Sequence, residues 1–487
     1  MNASPSIGRA SALALGALAL TACSHAPMLP MFSPPAQERF VHAPQDAQAT
    51  EPVGAFWSGF QDPLLDDLVR RALAANTDVR SAAASLREAR AISRGADANL
   101  LPSAGLALGA ARVRAQDDLG VSSTRSNYAA GLDLLWEADL FGGLGDARRA
   151  AQAGVRAGAE GVRAARVSVV AEVARNYFEL RGLQQQLRVA TASLDTQQQA
   201  LRLVEARLDA GRGTALDTER ARALVQSTAA NVPALEAALI RTRHRIAVLC
   251  GRPPSAFDAE LAPEQPLPAL QAIALSGIGS PASLLRRRPD ILAAEARAAA
   301  AAAQAGVARS ALFPRVILGG TLGQNASRLS ALGDGASYVY NLGAQLTWNL
   351  LDFGRIRARI AAADARNELA IVAYERTVLA ALEETEGALA AYTRSQRQAE
   401  LLFDAARASE QAALIARERF SAGSTDFLTV LDAERELLAA RDRLAQSQTG
   451  AATTLVAVYK ALGGDWEAPV PAAAAPTTAP VQPAGVP

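Results

Sequence analysis

Few residues in this chain have the types and spacing that chemistry needs. There are two cysteines, Cys23 and Cys250, and three histidines, His25, His42 and His244. Their spacing makes no metal motif. The only methionines, Met1, Met28 and Met31, lie near the N-terminus and offer no relay for a soft metal. His244 stands among Arg241, Arg243 and Arg245 on a helical pattern and reads as a solvated side chain. No Gly-x-Ser-x-Gly, phosphate-binding loop or His/Asp/Glu cluster occurs. Gly142-Gly143-Leu144-Gly145 is glycine-rich, but it joins a strand pattern to a long helix and reads as a turn. The expectation is no enzyme, no cofactor and no metal. A net charge of +1 supplies no field for nucleic acid. The thiol with an evident use is Cys23, the only cysteine in the first 249 residues, at the end of a short apolar run.

That run is an address. Residues 1–22 read as a secretory signal: Arg9 gives a thin positive region, and Ser11 to Leu20 is apolar but too short to span a bilayer. Leu20-Thr21-Ala22-Cys23 resembles the bacterial lipobox, whose cysteine carries a thioether-linked lipid that holds the mature N-terminus in a leaflet. Ser24, rather than aspartate, follows the cysteine, which resembles an outer-membrane address. Residues 23–55 are then a lipid-anchored segment.

The elements behind these residues come in two copies. Asp78 and Asp290 are 212 apart, and the same offset relates Pro102 to Pro314, Tyr128 to Tyr340, Trp136 to Trp348, Phe141-Gly142 to Phe353-Gly354, and Arg207 and Gly211 to Arg419 and Gly423. A single offset over so many Gly, Pro, Trp and Tyr positions is a tandem duplication. It predicts repeat 1 over 56–250, a linker over 251–285 and repeat 2 over 286–466, with an Ala/Pro/Thr-rich tail over 467–487 that reads as disordered.

Each repeat reads helix, strand, strand, very long helix, turn, helix. No proline occurs from Ser103 to Val232 or from Arg315 to Ala468, so long helices are permitted. Helical periodicity covers 143–210 and 355–420. Glycine tips follow at 211–214 and 421–426, then helices over 215–250 and 427–462, the first bent at Pro233. The strands are expected at about 103–114, 127–136, 315–325 and 337–348. In the second, Tyr128, Ala130, Leu132, Leu134 and Trp136 share one face. In the fourth, Tyr340, Leu342, Ala344, Leu346 and Trp348 do so, opposite Asn341, Gln345 and Thr347. Ten-residue strands with an apolar face and terminal aromatics fit a transmembrane barrel. Four strands cannot close a useful bore, and open edges in lipid are costly, so several chains must pool them.

The motifs that gather these elements are Phe56-Trp57…Asp62-Pro63, Arg286-Arg287-Arg288-Pro289-Asp290-Ile291, Trp136 to Gly142, Trp348 to Gly354, and Tyr459 to Trp466. In order and spacing they resemble the TolC-like outer membrane factors, in the lipidated NodT-type branch that serves resistance-nodulation-division (RND) efflux pumps. The resemblance covers about 56–466. It implies a mostly α fold with a transmembrane β portion: a homotrimer whose three chains give four strands each to one 12-stranded β-barrel and their long helices to a periplasmic α-helical barrel. It implies a passive, gated outer-membrane exit duct for small toxic compounds. The implied partners are outer-membrane lipid, a periplasmic adaptor and an inner-membrane RND transporter. The same fold serves type I protein secretion, which is the alternative.

The resemblance also implies sites. Arg207, Gly211 and Gly213, with Arg419, Gly423 and Thr425, match the hairpin tips that meet the adaptor. Asp432 and Arg435 match the periplasmic gate, with Asp217 as a first-repeat counterpart. Some relatives carry another aspartate at the position of Thr429. Tyr128, Trp136, Tyr340 and Trp348 are the expected membrane-interface aromatics, and Cys23 the lipidated residue.

Overall fold

The proline-free windows become very long helices in the structure, a computed structural model that describes residues 39–43, 56–116, 120, 122–267 and 278–464. In repeat 1, α1 (Pro63–Ala75) and α2 (Thr77–Ala98) lead into β1 (Ser103–Gln116) and β2 (Ser122–Ala138), then α3 (Gly143–Asp209) and α4 (Ala215–Leu249). In repeat 2, α5 (Pro281–Arg287) and α6 (Pro289–Ser310) lead into β3 (Arg315–Ala326) and β4 (Tyr338–Thr347), then α7 (Phe353–Ser421) and α8 (Phe427–Ala461). At ~1.5 Å per residue, α3 and α7 each hold about 100 Å of helix. The helix α4 runs on through Pro233. The expected signal peptide, Cys23 and the 467–487 tail lie outside the described residues.

Contacts divide the chain into two compact units. One comprises Ala82–Gly161 and Asp290–Val378 and contains the sheet. Its four strands are antiparallel in the order β1-β2-β3-β4. The register puts Leu106, Leu132, Leu322 and Tyr340 in one row, and Gly105, Asp133, Thr321 and Asn341 in the next. Successive side chains alternate faces, so one face is apolar and the other small and polar. Thr321 donates to Asp133 across the polar face at 2.7 Å, and Arg315 pairs with Glu137.

The first hairpin is longer than the alternation suggested. Residues Ser122 to Ser126 pair with Arg112 to Gln116, where a loop over 115–126 was expected. Polar residues occupy both faces there, so period two carries no hydrophobic signal even though the backbone ladder continues. Trp348 lies just beyond β4 rather than within it. The stretch ends in paired fastenings: Trp136 Nε1 donates to the Leu100 carbonyl at 3.0 Å, and Trp348 Nε1 to the Leu312 carbonyl at 3.1 Å.

The other unit comprises Pro35–Ser81, Val162–Pro289 and the chain from Leu379 onward. Its core gathers Leu65, Leu68 and Ala72 of α1, Val170, Val173, Tyr177 and Phe178 of α3, Ile246 and Leu249 of α4, and Leu455 and Val458 of α8. Full burial stabilises each large aliphatic side chain by about 1.5–3 kcal/mol. Phe178 meets Phe60 edge-on at 4.7 Å. Asp62 caps α1, accepting from the Leu64 and Leu65 amides and from the Tyr177 hydroxyl. Burial of Tyr177, and next the neighbouring Asp62 carboxylate, push the phenol well above its ordinary pKa. Arg181, 1% exposed, donates to the Tyr177 hydroxyl, the Pro263 carbonyl and Gln184. Part of the 251–285 linker is thereby fixed to α3.

The arginine run has a helix end to satisfy. A helix leaves its last carbonyls without partners. Arg288 donates to the Ala461 carbonyl at 2.9 Å and to Glu384 at 2.6 Å, and Arg287 donates to the Leu462 carbonyl at 2.9 Å. In repeat 1 the same position is Asn76, whose amide donates to the Leu249 carbonyl at 2.9 Å. Leu249 and Ala461 are themselves 212 apart. The substitution Arg288→Ala strips a buried, charge-assisted set of bonds from the end of α8. It should destabilise the protein by about 3 kcal/mol, read as an earlier loss of helical circular dichroism on heating; an unchanged melt would reject the capping role.

Candidate functional site

The helical hairpins close through the same backbone device. Gly211 has φ +70° and Gly423 φ +73°. The Arg212 amide donates to the Arg207 carbonyl at 2.8 Å and the Gly211 amide to the Leu208 carbonyl at 2.9 Å. In the second tip the Ser424 amide donates to Arg419 at 2.9 Å and the Gly423 amide to Phe420 at 3.0 Å. These are Schellman closures, which require a left-handed residue after the helix. A Cβ at Gly211 or Gly423 would meet nothing within 4 Å, so conformation, not crowding, demands glycine. Gly213 is different: a Cβ there would lie 2.9 Å from the Leu208 nitrogen.

The matched tip arginines are not equivalent. The Arg207 guanidinium lies 4.0 Å over the Phe420 ring and donates to the Phe420 carbonyl at 3.2 Å, tying the first tip to the second. A part-buried cation–π contact of this kind contributes about 1 kcal/mol. Beneath it, Val204, Ala221 and Leu224 of the first hairpin pack with Ala416, Phe427, Val430 and Leu431 of the second. Arg419 is exposed, and its side chain has no partner among the described residues.

Each outgoing helix starts with a cap, and the two caps exchange residues. In repeat 1, Thr214 caps α4: its hydroxyl donates to Asp217 at 2.7 Å and accepts from the Asp217 amide at 3.2 Å. In repeat 2, Asp426 caps α8, accepting from the Thr429 hydroxyl at 2.7 Å and the Thr429 amide at 3.1 Å. Thr214 matches Asp426 and Asp217 matches Thr429 at offset 212. The Thr429 hydroxyl, with its amide, holds the Asp426 carboxyl below the ordinary aspartate range. Thr425 donates to the Thr429 hydroxyl at 3.1 Å.

The hairpin arms repeat this exchange with full charges. Glu205 of α3 pairs with Arg222 of α4 at 3.1 Å. The matched positions are Arg417 of α7 and Glu434 of α8, which pair with the signs reversed. Glu434 is 6% exposed. Sequence reading passed over this pair, although the repeat offset alone aligns Glu205 with Arg417 and Arg222 with Glu434.

Asp432 and Arg435 lie on the exposed side of α8, between the buried Leu431, Glu434 and Leu437. Neither forms an ion pair or hydrogen bond with any described residue. Asp217, expected beside them in role, is engaged instead in its own helix cap. Thr429 is likewise in a cap. Of the four expected interface aromatics, Tyr340 is 85% exposed, Trp348 45% and Trp136 38%, whereas Tyr128 is half-buried.

The family model described as outer membrane efflux protein matches residues 68–252 and 281–464, one match per repeat. The chain is 34% identical to the pyoverdine export outer membrane protein OpmQ of Pseudomonas aeruginosa over 92% of its own length and 95% of that protein. It is also 34% identical to the outer membrane protein OprJ of the same organism, over 93% and 95%. Among solved structures it resembles the outer-membrane channel OprN with a TM-score of 0.84 and 37% identity, over 90% of this chain and 99% of that one.

The exchanged ion pairs make a double substitution informative. Arg417→Glu or Glu434→Arg alone sets like charges together and should lower thermal stability by about 1–2 kcal/mol. The combination should recover most of that loss, because the first hairpin already uses that polarity. A double variant no more stable than its singles would refute the coupling.

Proposed function

The chain belongs to the outer membrane efflux protein family, and from that premise we propose that it is the outer-membrane exit duct of a tripartite efflux pump. It carries out no chemistry of its own. An inner-membrane RND transporter supplies the energy, a periplasmic adaptor bridges to the hairpin tips, and a lipid on Cys23 anchors the mature N-terminus. The cargo is small toxic compounds.

The observation that supports this reading is the sheet. Its apolar face is exposed: Leu106, Leu108, Leu132, Leu322, Tyr340 and Leu342 are each at least half accessible. Its outer strands β1 and β4 have no further neighbour among the described residues. An exposed apolar face suits lipid, and in lipid each unpaired backbone group costs several kcal/mol. Copies of the chain must therefore join β4 to β1 until the sheet closes. Three copies of four strands make a twelve-stranded barrel, whose lining is the polar row of Asp133, Thr321 and Asn341.

The tips take the adaptor with unequal arginines. Arg419 is free to meet it, while Arg207 first holds Phe420. Asp432 and Arg435 have no partner among the described residues, so their partners would belong to neighbouring hairpins of the ring. Opening would part those contacts, a two-state element biased by adaptor binding. In planar bilayers, Asp432→Ala and Arg435→Ala should each raise single-channel conductance severalfold, since the closed ring loses charge pairing; unchanged conductance would remove these residues from the gate.

Deleting the gene should increase accumulation of some members of a panel of dyes, antibiotics, solvents and metals, with rescue by the wild-type copy. Cys23→Ala should rescue less well if the anchor contributes. A mutant that accumulates none of the panel, and instead retains a secreted protein, would replace drug efflux with protein export.

A further inference from the structure

The lipid-facing side of the sheet carries one feature that the duct does not use. In β1 the residues of even number share the apolar face: Leu106 opposes Leu132 and Leu108 opposes Ala130. The register continues without a slip to Arg112 opposite Ser126 and Arg114 opposite Thr124. Arg112 and Arg114 therefore project from the same face as the leucines. Both are exposed, and neither has an ion pair or hydrogen bond among the described residues. The hydroxyls of Thr124 and Ser126 share that face beside them. Arg125, by contrast, opposes Val113 and projects from the polar face.

Depth is what gives these arginines meaning. Ser103 opposes Leu135, next to the Trp136 that donates to Leu100 at the helical end of the sheet. Arg112 is nine residues further along β1. At ~3.4 Å per residue that is roughly 30 Å of strand, or about 23 Å of membrane thickness at a tilt of ~40°. The apolar band of such a barrel is about 25 Å tall. Arg112 thus reaches the far interface, and Arg114 stands just beyond it, where the outer leaflet presents its headgroups. An outward arginine at the midplane would be destabilising, but at the interface it is nearly free of that penalty. The second repeat has Gln324 and Ala326 at the matched positions, so the pair belongs to the first hairpin alone. Asp117 and Asp118, which follow in the sequence, lie outside the described residues.

We propose that Arg112 and Arg114 form a phosphate-binding pair for an anionic glycolipid of the outer leaflet. A planar guanidinium grips phosphate through two parallel N–H bonds, and two of them one pleat apart hold a phosphorylated sugar headgroup against the strand, with Thr124 and Ser126 at hand for its hydroxyls. The proposal rests on the reading that the sheet spans the outer membrane.

The test uses the purified, assembled protein in detergent, with bisphosphoryl lipid A and fully dephosphorylated lipid A as probes, and native mass spectrometry to measure bound lipid. Arg112→Gln with Arg114→Gln should weaken binding of the phosphorylated probe about tenfold and leave the dephosphorylated probe unchanged. Arg125→Gln removes an equal charge from the opposite face and should change neither. Equal binding by wild type and the double variant, or an equal loss in Arg125→Gln, would overturn the proposal. Wild-type conductance in planar bilayers separates the two readings, because a protein that conducts without phosphate-dependent binding keeps the duct and loses the site. If the glutamine pair fails to assemble, Arg112→Lys with Arg114→Lys keeps the charge and loses the paired bonds. It should weaken phosphate-dependent binding about threefold, and full retention there would also overturn the proposal.

Discussion

An unpaired backbone amide or carbonyl has no partner in hydrocarbon, and that constraint governs the rest of this protein. Within the chain the ladder from β1 to β4 is continuous, so the deficit falls entirely on two edges. Neither a proline nor a strong bulge blunts those edges: β1 and β4 pair along nearly their whole length with their inner neighbours. A soluble protein with such edges would be prone to aggregation. The same edges in a membrane are an instruction to assemble. The apolar face tells which surface meets lipid, and the small polar face leaves room for a bore.

The same accounting of backbone groups recurs at the ends of the four longest helices. Arg287 and Arg288 serve the carbonyls at the end of α8, Asn76 serves the matched carbonyl of α4, and the tip glycines close α3 and α7. Long helices gain stability along their length from packing, so their ends are where specific side chains are required. The family motifs in this sequence are largely these fastenings. Asp62 begins a helix, the arginine run ends another, and the glycine-containing close at Gly463 has φ +81° against Arg288.

Duplication lets one chain keep an interaction while exchanging its members. Threonine and aspartate trade places in the two caps, and glutamate and arginine trade arms in the two hairpins. An interaction that survives an exchange of signs is selected for the link itself, not for the field it projects. The tips break the equivalence. Phe420 stands where the first repeat has Leu208, so of the two tip arginines Arg207 alone lies over an aromatic ring among the described residues. The side chains of Arg419, Asp432 and Arg435, by contrast, have no partner among the described residues.

The sequence by itself determined the duplication, the order of elements, the long helices and the apolar face of the strands. Each of these is written in local chemistry: proline exclusion, glycine at a left-handed turn, and a period of two or 3.6. It also marked Arg207, Gly211, Arg419 and Gly423 through one fixed offset. Only the tertiary structure decided what those side chains touch. That Arg207 lies on Phe420, and that β1 and β2 pair out to Gln116 and Ser122, depend on a neighbour remote in the chain or on backbone bonds that leave no hydrophobic period. Local pattern records the conformation a residue prefers, whereas a partner 213 residues away is chosen by packing.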